Sequence, residues 1–174
     1  MSPAASQTVY LAEAAEEYCR LIGLIEQLGC DREWRRRMQH LLPRLHMAVI
    51  SRQGPEEALS QYVLPDDEAR FELYIRLHAV LHADPLLWSV LDEFPSLNRV
   101  CDQLADDLTD IYFDLKQGLD LLAAFPAEPE RAMAAWLCSF YGHWSRHLLD
   151  AEHWLHWLGG RETAEVAPLW CIVD

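Results

Sequence analysis

Between positions 97 and 125 the apolar residues Leu97, Cys101, Leu104, Leu108, Ile111, Leu115, Leu122 and Phe125 fall three, four or seven positions apart. Each step returns to the same face of an α-helix, and a strand, with its period of two, cannot produce the pattern. The rest of the chain repeats it. Leu11, Ala14, Tyr18, Leu21, Ile25 and Leu28 predict a helix over about 7–28, closed by Gly29. Asp31 is placed to cap a second helix carrying Trp34, Met38, Leu41, Leu45 and Ala48, in which Pro43 predicts a kink or break near 40–43. Residues 53–65 read as a connection. Asp66-Asp67 opens a third helix with Phe71, Tyr74, His78 and Leu81 as its inner face, ended by Asp84-Pro85, and Pro95-Ser96 opens the long segment. Pro129 suits the first position of a last helix whose seam is Met133, Leu137, Phe140, Trp144, His147, Ala151 and Leu158, stopped by Gly159-Gly160. With no β-branched alternating run and no Asn-Gly hairpin, the expected fold is all-α. It is an antiparallel helical bundle of four long helices plus shorter helical segments. One domain spans 1–174, with its core at about 7–158 and a C-terminal tail at 159–174, where the apolar PLWCIV is too greasy to stand alone in water.

Charge and cysteines bound the function. Twenty-eight Asp and Glu against 14 Lys and Arg leave a net charge of -14, which repels nucleic acid and anionic lipid. Five dispersed cysteines without a C-x-x-C pair predict buried small hydrophobes and no disulfide framework. No secretory leader and no 20-residue apolar run is visible, so the expected location is cytoplasmic, with neither membrane nor nucleic acid as partner.

The segment 104–119, LADDLTDIYFDLKQGL, holds Asp106, Asp107, Leu108, Asp110, Ile111, Tyr112, Asp114 and Leu115, and 141–158 holds His143, Trp144, His147 and His156. With the Glu17-Tyr18-Cys19 string and the LLP of 41–43, these resemble a mainly bacterial family, domain of unknown function 5063, over about 9–158. Ser145 departs from the Gly of the family's His-Trp-Gly string. The resemblance implies the fold and the register of the last two helices, and it implies no activity.

Three constellations bear on chemistry. Asp102, Asp106, Asp110 and Asp114 recur every fourth residue. A solvated helix face is the plainer expectation, and an interface or a divalent-metal site the alternatives. DDLTD also reads as D-D-x-x-D, the magnesium string of all-α prenyl-transferring enzymes, but no second copy accompanies it. Phe113 falls among these aspartates and suggests that the face touches something. His143 and His147, like His78 and His82, stand four apart, a spacing that lets two imidazoles reach one metal. Asp150-Ala-Glu-His153 loosely echoes the carboxylate-x-x-His of di-metal bundles, with Glu17 as a contributor of unknown depth. For His147, on an apolar seam, a core histidine with one hydrogen bond is expected first. Arg35, Arg36 and Arg37 centre a basic stretch over 31–52 that fans around its helix. It predicts a solvated surface, or a dock for an acidic partner such as the Asp stripe of a second copy. Trp136, Trp144, Trp154 and Trp157 read as core and interface filler whose indoles need acceptors where buried.

No phosphate loop, G-x-S-x-G or H-E-x-x-H is present. The sequence therefore points first to a non-catalytic protein-protein interaction module, most simply a homodimer or a partner of another protein, needing no cofactor. Its interface would use Arg35, Arg36, Arg37, Phe113 and Trp170. The alternative is a protein binding a divalent metal, or a metal-dependent enzyme, through Asp106, Asp107, Asp110, Asp114, His143 and His147. Whether it is an enzyme is left open.

Overall fold

The computed structural model describes residues 3–51, 66–87 and 99–166, with side chains from 8 to 160 within those ranges. The expected connection at 53–65, the Pro95-Ser96 opening, the PLWCIV tail and Trp170 lie outside them. Every regular element among the described residues is helical, so the protein is all-α. The elements are α1 (Pro3–Gly23), the single turn α2 (Ile25–Leu28), α3 (Arg32–Ile50), α4 (Asp67–His82), α5 (Val100–Ala124), α6 (Pro129–Ser139), a π-helical turn (Phe140–Trp144) and α7 (Ser145–Val166).

Local chemistry accounts for most of the boundaries. Asp31 accepts from the Trp34 amide at 2.8 Å and caps α3, and Asp66 accepts from the Glu68 amide at 3.0 Å and caps α4. Gly29 takes a positive φ of 65°, which lets the chain turn after α2 at no steric cost. The predicted helix over 7–28 is instead divided at Gly23–Leu24, leaving α2 as a separate turn. Two other expectations fail. α3 runs unbroken through Pro43, where the bond lost to the missing amide is outweighed by burial of Leu41, Leu42 and Leu45 on either side. α7 passes through Gly159-Gly160 and ends at Val166, a helical glycine costing only about 1 kcal/mol against Ala. Long helices number five among the described residues, rather than four.

The core places α5 at the centre. It packs against α1, α4, α6 and α7, while α3 closes the far side against α1 and α7. Leu104, Leu108, Ile111 and Leu115 are fully buried, as the seam predicts. So is the α6–α7 seam from Met133 to Leu158. On α4 the buried row is Leu73, Leu77 and Leu81; of the expected inner face Leu81 is buried, Tyr74 and His78 are half-buried, and Phe71 is 62% exposed. α4 therefore presents its other residues, Arg70, His78 and His82, sideways to α5. Trp136 Nε1 donates to the Leu115 carbonyl at 3.0 Å and Trp144 Nε1 to Ser139 Oγ at 3.0 Å, satisfying both buried indoles.

A buried carboxylate-histidine array

The aspartates of α5 do not form a solvated face. Asp107, Asp110 and Asp114 are buried, Asp102 and Asp106 reach water with about half of their side chains, and Asp120, nearly two turns beyond Asp114, is exposed. α5 is enclosed by neighbours on nearly all sides, so the row opposite its apolar seam meets α4 and α7 instead of solvent. Phe113 is likewise half-buried, edge-on to Tyr112 at 5.3 Å between centroids and packed against the core.

What lies against the aspartates is a set of matching cations and imidazoles. Rising numbers on α7 meet falling numbers on α5. His143 Nδ1 is 2.7 Å from Asp114 Oδ2, and His147 Nδ1 is 2.8 Å from Asp107 Oδ1. The other ring nitrogens of both histidines converge on one atom, Asp110 Oδ2, at 3.9 Å from His143 Nε2 and 3.2 Å from His147 Nε2. Arg70 of α4 holds the opposite oxygen, with Nε 2.6 Å from Asp110 Oδ1, and reaches Asp106 Oδ1 at 2.8 Å. Its grip turns Asp110 Oδ2 towards the imidazoles. Below the array Tyr18 of α1, fully buried, donates its hydroxyl to the Leu108 carbonyl at 2.9 Å.

Electrostatics follow from burial. Desolvation pushes the Asp107 carboxyl above its ordinary range, against the His147 hydrogen bond, which lowers it. Asp114 is raised for the same reason, opposed by His143. Its Oδ1 is buried and accepts no hydrogen bond among the described residues. For His147 burial lowers the pKa, but the Asp107 bond and the Asp110 charge outweigh it and carry the imidazole above its ordinary value. Burial thus prevails on the acid and the partner on the base, so the pair keeps a proton at higher pH than either group alone.

The geometry suits a metal ion. Asp110, His143 and His147 each offer one ligand atom, all within 4.8 Å of one another. Donors about 2.1 Å from a common ion and about 90–110° apart lie about 3.0–3.4 Å from each other; the His147–Asp110 pair is already there at 3.2 Å, and His143 at 3.9 Å would draw in by about half an ångström. Each imidazole is oriented by a carboxylate on its other nitrogen, the arrangement that fixes tautomer and direction in metal-bound histidines. A divalent cation and two imidazole protons bring the same compensating charge to the four carboxylates and Arg70, and a second guanidinium, Arg146, stands at the edge with Nη2 3.4 Å from His147 Nε2. A cleft of about 410 Å³ opens beside Asp106, Asp107, Arg146, His147, Asp150 and Trp154.

Of the predicted site residues, the fold brings together Asp106, Asp107, Asp110, Asp114, His143 and His147, with Asp106, Asp107 and Asp114 as supports rather than members of the triad. His147 is not a core histidine with one bond; two carboxylates flank it. Glu17 stays away, paired with Arg44 at 2.9 Å. Arg70 went unnoticed in the sequence because nothing local distinguishes it from a surface arginine. The basic stretch also needs correction. Arg35 is buried, bonded to Asp84 and to the Cys30 carbonyl, so it offers nothing to a second copy. Arg36 pairs with Glu33 at 3.1 Å on the surface, and Arg37 lies 3.7 Å from Glu17.

An all-α protein built around one central helix, whose buried aspartates are matched by histidines from the π turn and the last described helix and by an arginine from the helix before, is the class that fold and site define. The chain belongs to the family described as a domain of unknown function, DUF5063, whose model matches residues 4–159. No curated protein and no solved structure matches it. Among the described residues no helix is long and apolar enough to cross a membrane.

Proposed function

We propose that this protein binds one divalent transition-metal ion through Asp110, His143 and His147. The observation that carries the reading is the convergence of two carboxylate-oriented imidazoles on one oxygen of a third carboxylate. Two imidazoles and one carboxylate with coordination positions left open favour iron(II), zinc and their neighbours over magnesium or calcium. The open positions would serve a water or a small ligand entering from the cleft beside His147, where a bound metal acts as a Lewis acid. Arg70 would hold Asp110 in place as a support and not as a ligand.

Metal analysis of tag-free protein, stripped with chelator and reloaded with Zn²⁺ or Fe²⁺ under anaerobic conditions, tests this. Asp110→Asn and His147→Ala are expected to weaken binding by tenfold or more with helicity retained. Binding that ignores both substitutions sinks the proposal.

A second reading, action by binding protein, draws on the outer face of α4, where Phe71 is 62% and Ile75 47% exposed. The two readings are compatible, since this face lies away from the array. A reducing, cytoplasmic setting suits the thiols: Cys19, Cys30, Cys101 and Cys138 are all free, and three of the four are buried.

A further inference from the structure

His78 and His82 stand one turn apart near the end of α4, with ring centroids 4.2 Å apart. Their Nε2 atoms both face a single oxygen on the neighbouring helix, Asp102 Oδ1, at 2.8 Å from His78 and 3.7 Å from His82. The three ligand atoms lie within 4.8 Å of one another. We propose that His78, His82 and Asp102 form a second site for a divalent transition-metal ion, separate from the Asp110 site and in ready exchange with solvent.

Three features support the assignment. The first is ligand type: two imidazoles and one carboxylate select zinc, nickel, cobalt or copper over magnesium and calcium. The second is position. His82 lies in the last turn of α4, where the negative end of the helix dipole favours a cation, and Asp102 lies in the first turn of α5, where a carboxylate is favoured. The third is access. His78 and His82 are about one-third exposed and Asp102 about one-half, so an ion can enter and water can complete its shell without opening the core.

The two sites are distinct. Asp102 and Asp110 are eight residues apart on α5, which at 1.5 Å per residue is about 12 Å. Ions at that distance share no ligand, in contrast to the roughly 3.5–4 Å of a two-metal centre. Arg70, bound to Asp106 and Asp110, stands between them.

Calorimetric titration of the stripped, tag-free full chain with Zn²⁺, and visible absorption with Co²⁺, test the assignment. The expected result is two equivalents for the parent chain. His82→Ala, with His82→Gln and Asp102→Asn as second variants, should lose one equivalent or weaken it at least tenfold, with circular dichroism unchanged. His147→Ala should lose the other equivalent and keep this one. Equal stoichiometry and affinity in the parent and all three variants would overturn the second site. A single equivalent lost in His147→Ala and kept in His82→Ala would also overturn it while leaving the Asp110 site intact. The converse pattern supports it and removes the Asp110 site alone.

Discussion

At Gly118 the helix carries no side chain because Trp136 already fills the space. A Cβ built there would lie 2.1 Å from the indole, which is itself fully buried and anchored by its bond to the Leu115 carbonyl. Gly118→Ala is therefore expected to destabilise by about 3 kcal/mol, since neither the indole nor the backbone can withdraw, although alanine is the better helix former. Urea unfolding would measure it, and an unchanged midpoint would contradict the packing. His147 supplies a second residue-scale expectation. Its pKa is raised in the folded, metal-free protein, so its contribution to stability is complete below the unfolded imidazole value and fades as pH rises through the folded value. Melting temperature of the stripped protein should fall between pH 6 and 8, and His147→Gln should flatten that slope. Metal reverses the dependence, because protons compete for the same ring nitrogen and binding strengthens as pH rises. A slope identical in parent and variant would remove His147 from the account.

Among the elements, α5 shows what a sequence can and cannot disclose. Its apolar seam is read from spacing alone, and the caps at Asp31 and Asp66 and the opening proline Pro129 are where local chemistry puts them. The row of aspartates defeats the same reasoning. Residue type argues for water, whereas Asp107, Asp110 and Asp114 are buried because partners reach them from 29 to 40 positions away: Arg70 before them, His143 and His147 after. The histidine pair and the aspartate spacing were legible separately. Their convergence was not, since it depends on the relative height of α5 and α7, which no local pattern encodes. Arg35 fails for the same reason, its partner Asp84 lying 49 residues away. Pro43 and Gly159-Gly160 are the opposite case, local breakers through which the helix continues, at Pro43 because Leu41, Leu42 and Leu45 are buried beside it.

For the molecule as a whole, the charge of -14 is unevenly spent. Carboxylates at the array are matched from within the chain by Arg70 and the imidazoles, Arg35 is buried, and Arg36 and Arg37 already lie against Glu33 and Glu17, which weakens the case for reciprocal docking on a second copy's aspartates. Self-association, where it occurs, should instead use apolar surface such as Phe71 and Ile75 on α4. A dimer of that kind would hold or tighten in high salt, because screening relieves repulsion between two acidic chains. Sedimentation equilibrium at micromolar protein decides it. A mass of 20.1 kDa at every concentration and salt would exclude the dimer, and dissociation by salt would exclude this face as its basis.

The π-helical turn at Phe140–Trp144 has a bearing on how such a protein can diverge. A π turn holds one residue more than the α-helix it interrupts, so it is inherited as a length and not as a residue type. Substitutions leave that length intact, and loss of one residue within the π turn would close it to an α turn with the downstream helix still in register. Loss of one residue from the α turn before His147 has no wide turn to absorb it and would rotate the following helix by about 100°, off Asp107 and Asp110. Deleting Gly142, a position with open space around it, should thus leave His147 in register, whereas deleting Arg146 should cost metal binding far more than helicity. Descendants that lost Arg146 would keep a helical chain and forfeit the array in one step, whereas point substitutions would erode it gradually, ligand by ligand.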